Sequence, residues 1–353
     1  MNISIVKTVA PKVKPDFSKL GFGRHFSDHM FTMDYSGGAW GNAQIVPYAP
    51  FLFDPATMVL HYGQSMFEGM KAYKTNNGGI YLFRPRKNFE RLNISNERLA
   101  MPPVDVDFCV NALCELIKVD IDWIPDIPGT SLYIRPFMFA TDAFLGVRPS
   151  DTYKFMIILS PVGAYYAEGL NPVKIHVEDE YVRAVRGGVG FTKTAGNYAA
   201  SLKAQLSAQP RGYSQVLWLD GVEQKYVEEV GSMNVFFRIG DEVVTPALNG
   251  SILAGITRES VIELLTKWGV KVVERKLSID EVMLAAADGT LKEAWGTGTA
   301  AVISPIGALS YKGNEKSINN FEIGELTAKL YDTITGIQTH KIEDDMGWTW
   351  KVD

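Results

Sequence analysis

"GFTKTAGNYAAS", residues Gly190 to Ser201, sets one long amine among small and polar residues, directly before an Ala-rich run. That run, "NYAASLKAQLSAQ", reads as a helix closed by the breaker Pro210-Arg211-Gly212. No acidic residue occurs between Gly187 and Ser201, and the nearest other basic side chains are Arg183, Arg186 and Lys203. An amine that sheds its proton near neutral pH attacks carbonyls, and burial away from carboxylates favours that loss. Lys193 has the setting of a Schiff-base lysine. Taken alone, the same setting also describes an ordinary surface lysine at a helix start, which is the commoner case.

Outward from this stretch the chain mixes strand and helix patterns. Upstream, "MFTMDY", "GIYLF" and "SLYIRPFMF" are rich in β-branched and aromatic residues and predict strands. "NFERLNISNERL" and "DFCVNALCELIKV" predict helices, and "KFMIILSPVGAYY" a strand running into a loop. "AEGLNPVKI" carries Gly and Pro without a period and reads as a connection. The expected division is a smaller N-terminal α/β domain over 1–166, a linker over 167–176 and a larger C-terminal domain over 177–353. Downstream, "SQVLWLD" predicts a strand with a turn at Gly221, and "MNVFFRI" and "EVVTPA" flank Gly240-Asp241 as a hairpin. "TRESVIELLTKW" predicts a helix ended near Gly269, and "VKVVERK" the next strand. Ser278 and Glu281 form a capping box for a helix that stops at Gly289. No regular βαβ period and no internal repeat is visible, so the expected class is α+β, or mixed α/β.

Composition narrows the functions. With 353 residues, 46% of them hydrophobic, the chain can bury a large core and more than one domain is expected. Net charge is -5, from 35 basic and 40 acidic residues, and no basic block would track a phosphate backbone; a nucleic-acid partner is not expected. No uncharged apolar run reaches the roughly 18 residues of a membrane span. The start, "MNISIVKTVAPKVKPDF", has no apolar h-region, so a cytoplasmic location is expected. Cys109 and Cys114 share a predicted helix at a spacing that does not align them on one face. They read as buried small hydrophobes rather than a disulfide or metal pair. His25, His29, His61, His176 and His340 show no ligand spacing, and no metal is expected.

The segment around Lys193 resembles the pyridoxal-phosphate lysine region of the branched-chain aminotransferases, a family of fold type IV related to D-amino-acid aminotransferase. So do "HYGQSMFEGMKAY" (His61 to Tyr73), "LFRPRKNFERL" (Leu82 to Leu92), "SLYIRP" (Ser131 to Pro136), "VEEVGSMNVFF" (Val227 to Phe237), "GITRES" (Gly255 to Ser260) and "GTGTAAVISP" (Gly296 to Pro305). One block alone would be weak; the blocks follow family order through most of the chain. The resemblance implies two domains with the cofactor site between them, pyridoxal 5'-phosphate as cofactor, and a homodimer or higher homo-oligomer. It implies ping-pong transfer of the amino group of L-leucine, L-isoleucine or L-valine to 2-oxoglutarate, so the partners are small amino acids and 2-oxo acids.

The resemblance also implies roles. Lys193 matches the lysine that bonds the cofactor, and Tyr198 the tyrosine that hydrogen-bonds its phenolic oxygen, although Tyr198 alone could equally be core. Glu229 matches the carboxylate facing the pyridine nitrogen, with Glu228 as local rival; without the resemblance an acidic pair before Gly reads as a solvated turn. Arg91 matches the phosphate arginine, while Arg84 and Arg86 lie in the variable part of that block. Ile256 and Thr257 offer N–H groups at a helix start, a ready anion site, and Thr299 adds a hydroxyl. Tyr133 and Arg135, alternate residues of one predicted strand, share a face and handle carboxylates. The backbone of Thr299 and Ala300 is expected to meet the substrate α-carboxylate. Phe22, Phe67 and Tyr165 match the apolar lining, joined across a dimer contact by Tyr62 and Val147; each aromatic alone is more often core. The family's eukaryotic members carry a Cys-x-x-Cys where this chain reads "AAVIS", so thiol regulation of that type is not expected. The rivals are a D-amino-acid aminotransferase, an aminodeoxychorismate lyase, and an inactive family member kept as a binding protein. Chain length, Tyr133-Arg135 and "EVGSMN" argue against the first two, and intact Lys193, Tyr198, Glu229 and Arg91 against the third.

Overall fold

The computed structural model describes residues 1–75, 77–163 and 170–352. The chain divides into two compact units. The first contains residues 1–165, 192–195 and 336–353; the second contains 166–191 and 196–335.

The first unit is built on a nine-stranded sheet, antiparallel except where Ser4–Ile5 runs beside Ala39–Pro47. Its centre is the pair Ser131–Ala140 and Tyr153–Val162, in unbroken antiparallel register from Ser131 opposite Val162 to Ala140 opposite Tyr153. Both strands are buried along nearly their whole length, which explains why they read as apolar runs rather than as alternating patterns. Two helices, Pro85–Arg98 and Val106–Val119, pack together beside the sheet. The first carries Pro85 at its start, where the missing N–H costs nothing, and the second is capped by Asp105, whose side chain accepts the Phe108 N–H. Phe89, Leu92, Leu113 and Leu116 are fully enclosed in the same core as Phe31, Phe155 and Leu159. Each such side chain contributes about 1.5–3 kcal/mol by leaving water. Cys109 and Cys114 are both buried on the second helix, as expected of small hydrophobes.

The second unit is a ring of strands. Val227–Val230, Gln215–Leu219, Val173–Glu178, Val302–Tyr311, Leu291–Gly298 and Met233–Ile239 pair in that order, and the last pairs back with the first. Closure leaves few open edges. Val173–Glu178 lies inside this ring, parallel to both neighbours. The stretch expected to be linker up to residue 176 thus ends in a central strand: sheet pairing on both sides outweighs the Gly and Pro that precede it. The expected hairpin is present, Met233–Ile239 and Glu242–Pro246 meeting across Gly240 at φ 59°. Ile256–Lys267 and Ile279–Asp288 are helices, the latter capped by Ser278 accepting the Glu281 N–H and closed by left-handed Gly289. The Ala-rich run forms the helix Ala195–Ala208, and its Ala204 and Ala208 pack on Val216 and Trp218.

Candidate active site

Residues 192–195 pack with the first unit although both flanking stretches belong to the second. Main-chain bonds explain why. The Lys193 N–H donates to Ser95 Oγ at 3.0 Å, and the Lys193 carbonyl accepts the Phe67 N–H at 3.0 Å. Thr194 bridges Met66, and its hydroxyl donates to the Ser65 carbonyl at 2.7 Å. The short strand Ser65–Phe67 is therefore held by the Ser131–Ala140 strand on one side and by the lysine segment on the other. The Lys193 Nζ lies 5.0 Å from the Phe67 ring centroid.

Beside it, Glu68 is fully buried and accepts from both Nε and Nη2 of Arg91, at 2.8 and 2.9 Å. Burial pushes the Glu68 carboxyl up, but the Arg91 guanidinium and the Lys193 amine outweigh it and hold the group below the usual carboxylate range. Asn88, Arg91 and Ser95 recur at helical spacing, so one buried face of Pro85–Arg98 serves the glutamate and the lysine segment together. The other arginines of the block are engaged elsewhere: Arg84 stacks over Trp348 at 5.3 Å, and Arg86 pairs with Asp107.

Tyr133 and Arg135 share a face, as their alternation required. Arg135 Nη2 donates to the Tyr133 hydroxyl at 3.1 Å, and its guanidinium lies 4.6 Å from the Phe67 ring centroid. Phe22 packs edge-on against Tyr133, with ring centroids 4.9 Å apart. Gly69 is required here, because a Cβ would stand 2.1 Å from the Tyr133 hydroxyl. The first unit thus gathers Phe22, Phe67, Arg91, Tyr133, Arg135 and Lys193. It also carries Tyr62 and Val147, both exposed, with the Tyr62 hydroxyl donating to the Leu145 carbonyl. Tyr165 lies outside the described residues.

In the second unit, Glu228 and Glu229 are both buried on the strand Val227–Val230; the pair is not a solvated turn. Strand alternation sends them to opposite faces. Glu228 accepts from the Ser251 hydroxyl and from Asn249 Nδ2 at 3.2 Å. Glu229 Oε1 accepts the Leu253 N–H at 2.7 Å, and its Oε2 lies 3.3 Å from Arg183 Nε. Register aligns Glu229 with Asn234 and Asn234 with Thr297, so these three side chains stand in a row on one face. Asn234 donates to the Leu253 carbonyl at 2.8 Å, and a Cβ on Gly255 would meet its Oδ1 at 2.0 Å. The Leu253–Gly255 loop is therefore laid across this row and delivers Ile256 and Thr257, both buried, at the start of a helix that no side chain caps. Thr299 and Ala300 form the turn after Leu291–Gly298, and Tyr198 is half-buried on Ala195–Ala208.

Glu68, Asn88, Ser95, Arg183, Asn234 and Thr297 were not singled out by sequence reasoning. The signal for Asn88 and Ser95 was their helical phase with Arg91; for Glu68 it was an acid within an apolar strand region. Among the described residues, no cluster of His, Cys, Asp and Glu could hold a metal ion, and no helix is long and apolar enough to cross a membrane.

Each unit separately carries donor types that a pyridoxal phosphate would need: a clamped lysine segment and a buried arginine in the first, an uncapped helix start and a buried carboxylate in the second. The sequence model of amino-transferase class IV matches residues 65–309. Branched-chain-amino-acid aminotransferase 2 of Bacillus subtilis (strain 168) is 60% identical over 351 residues, covering 99% of this chain and 97% of that protein. Among solved structures, the Escherichia coli branched-chain amino acid aminotransferase superposes with a TM-score of 0.77 at 28% identity, over 92% of this chain and 99% of that one. The T.th. branched-chain amino acid aminotransferase with pyridoxamine 5'-phosphate superposes with a TM-score of 0.74 at 25% identity, over 95% and 99%. With the family model spanning residues 65–309 and 60% identity along 99% of its length to a curated relative, the chain belongs to the class IV aminotransferases, within the branched-chain-amino-acid aminotransferase family.

Proposed function

We propose that this chain transfers the amino group of L-leucine, L-isoleucine or L-valine reversibly to 2-oxoglutarate, giving the branched 2-oxo acid and L-glutamate, with pyridoxal 5'-phosphate held on Lys193. The observation that carries the reading is the main-chain clamp on Lys193, which fixes its segment against Ser65–Phe67 and leaves its amine 5.0 Å from the Phe67 ring centroid. Bound there, the cofactor supplies an electron sink for the bond broken at the substrate Cα.

The protein supplies binding, orientation and proton transfer. Arg91, the N–H groups of Ile256 and Thr257, and the Thr299 hydroxyl hold the phosphate. Tyr198 donates to the phenolic oxygen, and Glu229 keeps a proton on the ring nitrogen. The Lys193 Nζ would take the Cα proton as a general base. Thr299 and Ala300 receive the α-carboxylate through their backbone. Phe22, Phe67 and Tyr165 accept the branched side chain, while Arg135 and Tyr133 receive the far carboxylate of glutamate. The 2-oxo acid leaves before 2-oxoglutarate enters, which makes the kinetics ping-pong. A cytoplasmic location accords with buried cysteines, Cys109 and Cys114, that form no disulfide with each other.

Substrate choice is the direct test. One methylene in an apolar pocket changes transition-state binding by only about 1–3 kcal/mol, so leucine, isoleucine and valine should all be used. Inversion at Cα turns the proton away from Lys193 or exchanges the carboxylate and side-chain positions, so D-alanine should be poor. The measurement is kcat/KM for these four and L-aspartate with 2-oxoglutarate as acceptor. Aspartate or D-alanine outrunning all three branched L-amino acids overturns the assignment.

The active form is proposed to be at least a homodimer, in which Tyr62 and Val147 complete the pocket of a second copy. Val147 is 85% exposed in the single chain, and Tyr62 is exposed too. Sedimentation at micromolar concentration is expected to show no active monomer; a fully active monomer would exclude the shared pocket.

A further inference from the structure

Glu68 has no part in the reaction as set out above, yet it is 0% exposed and ionised. Its oxygens accept from Arg91 Nε and Nη2, from Asn88 Nδ2 at 2.8 Å and from the Gly69 N–H at 3.2 Å. Stability alone does not account for it, because a buried ion pair is often replaceable by apolar side chains at no loss. The geometry is also directional. A carboxylate that takes the Nε–Nη2 edge of a planar guanidinium leaves that group no freedom to swing. Asn88, one turn earlier on the helix that carries Arg91, holds the second oxygen and keeps the carboxylate itself from rotating.

We propose that Glu68 is a positioning residue for phosphate capture: it grips one edge of Arg91 and thereby fixes the other edge in the orientation that receives the cofactor phosphate. This rests on Arg91 being the phosphate arginine. The helix anchors the Arg91 backbone, and Glu68 helps to order the far end of its long side chain before the cofactor arrives. Ordering on binding costs side-chain entropy, which a preset fork avoids. Glu68 also opposes the phosphate by its charge, so the two effects have opposite signs and an experiment decides between them. If orientation dominates, removing the carboxylate weakens phosphate recognition; if charge dominates, removal strengthens it.

The test titrates the cofactor-free full-length protein with pyridoxal 5'-phosphate and, separately, with pyridoxal. The ratio of the two Kd values measures recognition of the phosphate alone. Arg91→Lys should lower this preference. Glu68→Gln should lower it about tenfold or more, as loss of a charge-assisted contact does, with pyridoxal binding held within about threefold. In the double variant the preference should fall no further than in Arg91→Lys, because Glu68 acts through Arg91. An unchanged or increased preference in Glu68→Gln overturns the proposal, and so does equal weakening of both ligands, the mark of a merely structural role. An unchanged preference in Arg91→Lys removes the phosphate assignment itself and this inference with it. If Glu68→Gln does not fold, Glu68→Asp carries the same test: it keeps the charge, withdraws the carboxylate from the fork, and should lower the preference likewise.

Discussion

Lys193→Ala is expected to abolish turnover, lowering kcat by at least about 10⁴-fold, the upper range for a positioned acid–base group. The expectation is strong because this amine is proposed both to hold the cofactor and to move the Cα proton, so one truncation removes both. The fold should survive. The bonds that fasten the segment come from the Lys193 backbone N–H and carbonyl and from Thr194, and alanine keeps all of them. The structure also names the competitor. Lys71 is buried, and burial pulls its pKa down to about 8, so it too could present a neutral amine. Borohydride reduction of the cofactor-loaded protein followed by peptide mapping separates the two. The pyridoxyl label should sit on Lys193, and a label on Lys71 or any other lysine would sink the assignment.

Glu229→Gln should keep the cofactor but slow turnover by roughly 10- to 1000-fold, equivalent to about 1.4–4 kcal/mol of lost transition-state stabilisation. The substitution is isosteric, and its effect follows from charge: a neutral amide no longer stabilises a proton on the ring nitrogen. The surroundings are arranged for an anion, with the Leu253 N–H on one oxygen and the Arg183 guanidinium beside the other. Glu228 provides the internal control. It occupies the opposite face of the same strand, where Ser251 and Asn249 donate to its Oε1, so Glu228→Gln should affect folding stability more than kcat. Activity of Glu229→Gln within a factor of about two of the parent would exclude it as the ring-nitrogen partner and return attention to Glu228.

Much of the local structure was legible because it depends on near neighbours. Ser278 and Glu281 cap a helix wherever that segment sits, Gly289 and Gly240 supply positive φ, and Pro210 and Gly212 stop the Ala-rich helix. The alternation that puts Tyr133 and Arg135 on one face is likewise a property of the strand itself. The sheet topology was less accessible. Val173–Glu178 follows Gly and Pro and carries no period of its own, and only its parallel neighbours on both sides make it a strand of the ring. The status of the acidic pair was similarly hidden. Two adjacent glutamates before Gly231 look solvated in isolation, and are buried because the Ser251 and Leu253 loop brings them donors from far along the chain.

The sequence by itself determined which residue types stand where: a lysine in an acid-free stretch, an arginine in helical phase with Asn88 and Ser95, and family blocks in order. Only the tertiary structure decided what that lysine meets. No carboxylate lies near Lys193 in the chain, yet Glu68 from a distant strand end contributes to its field and is itself held ionised by Arg91. The same holds for its place in the molecule: the hydrogen bonds to Ser95 and Phe67 draw residues 192–195 into the first unit, while the helix that follows belongs to the second. The physical reason is common to both. Caps, turns and periodicity are short-range and readable residue by residue, whereas the partners of a buried charge are chosen by desolvation, which acts only once the chain has closed around it.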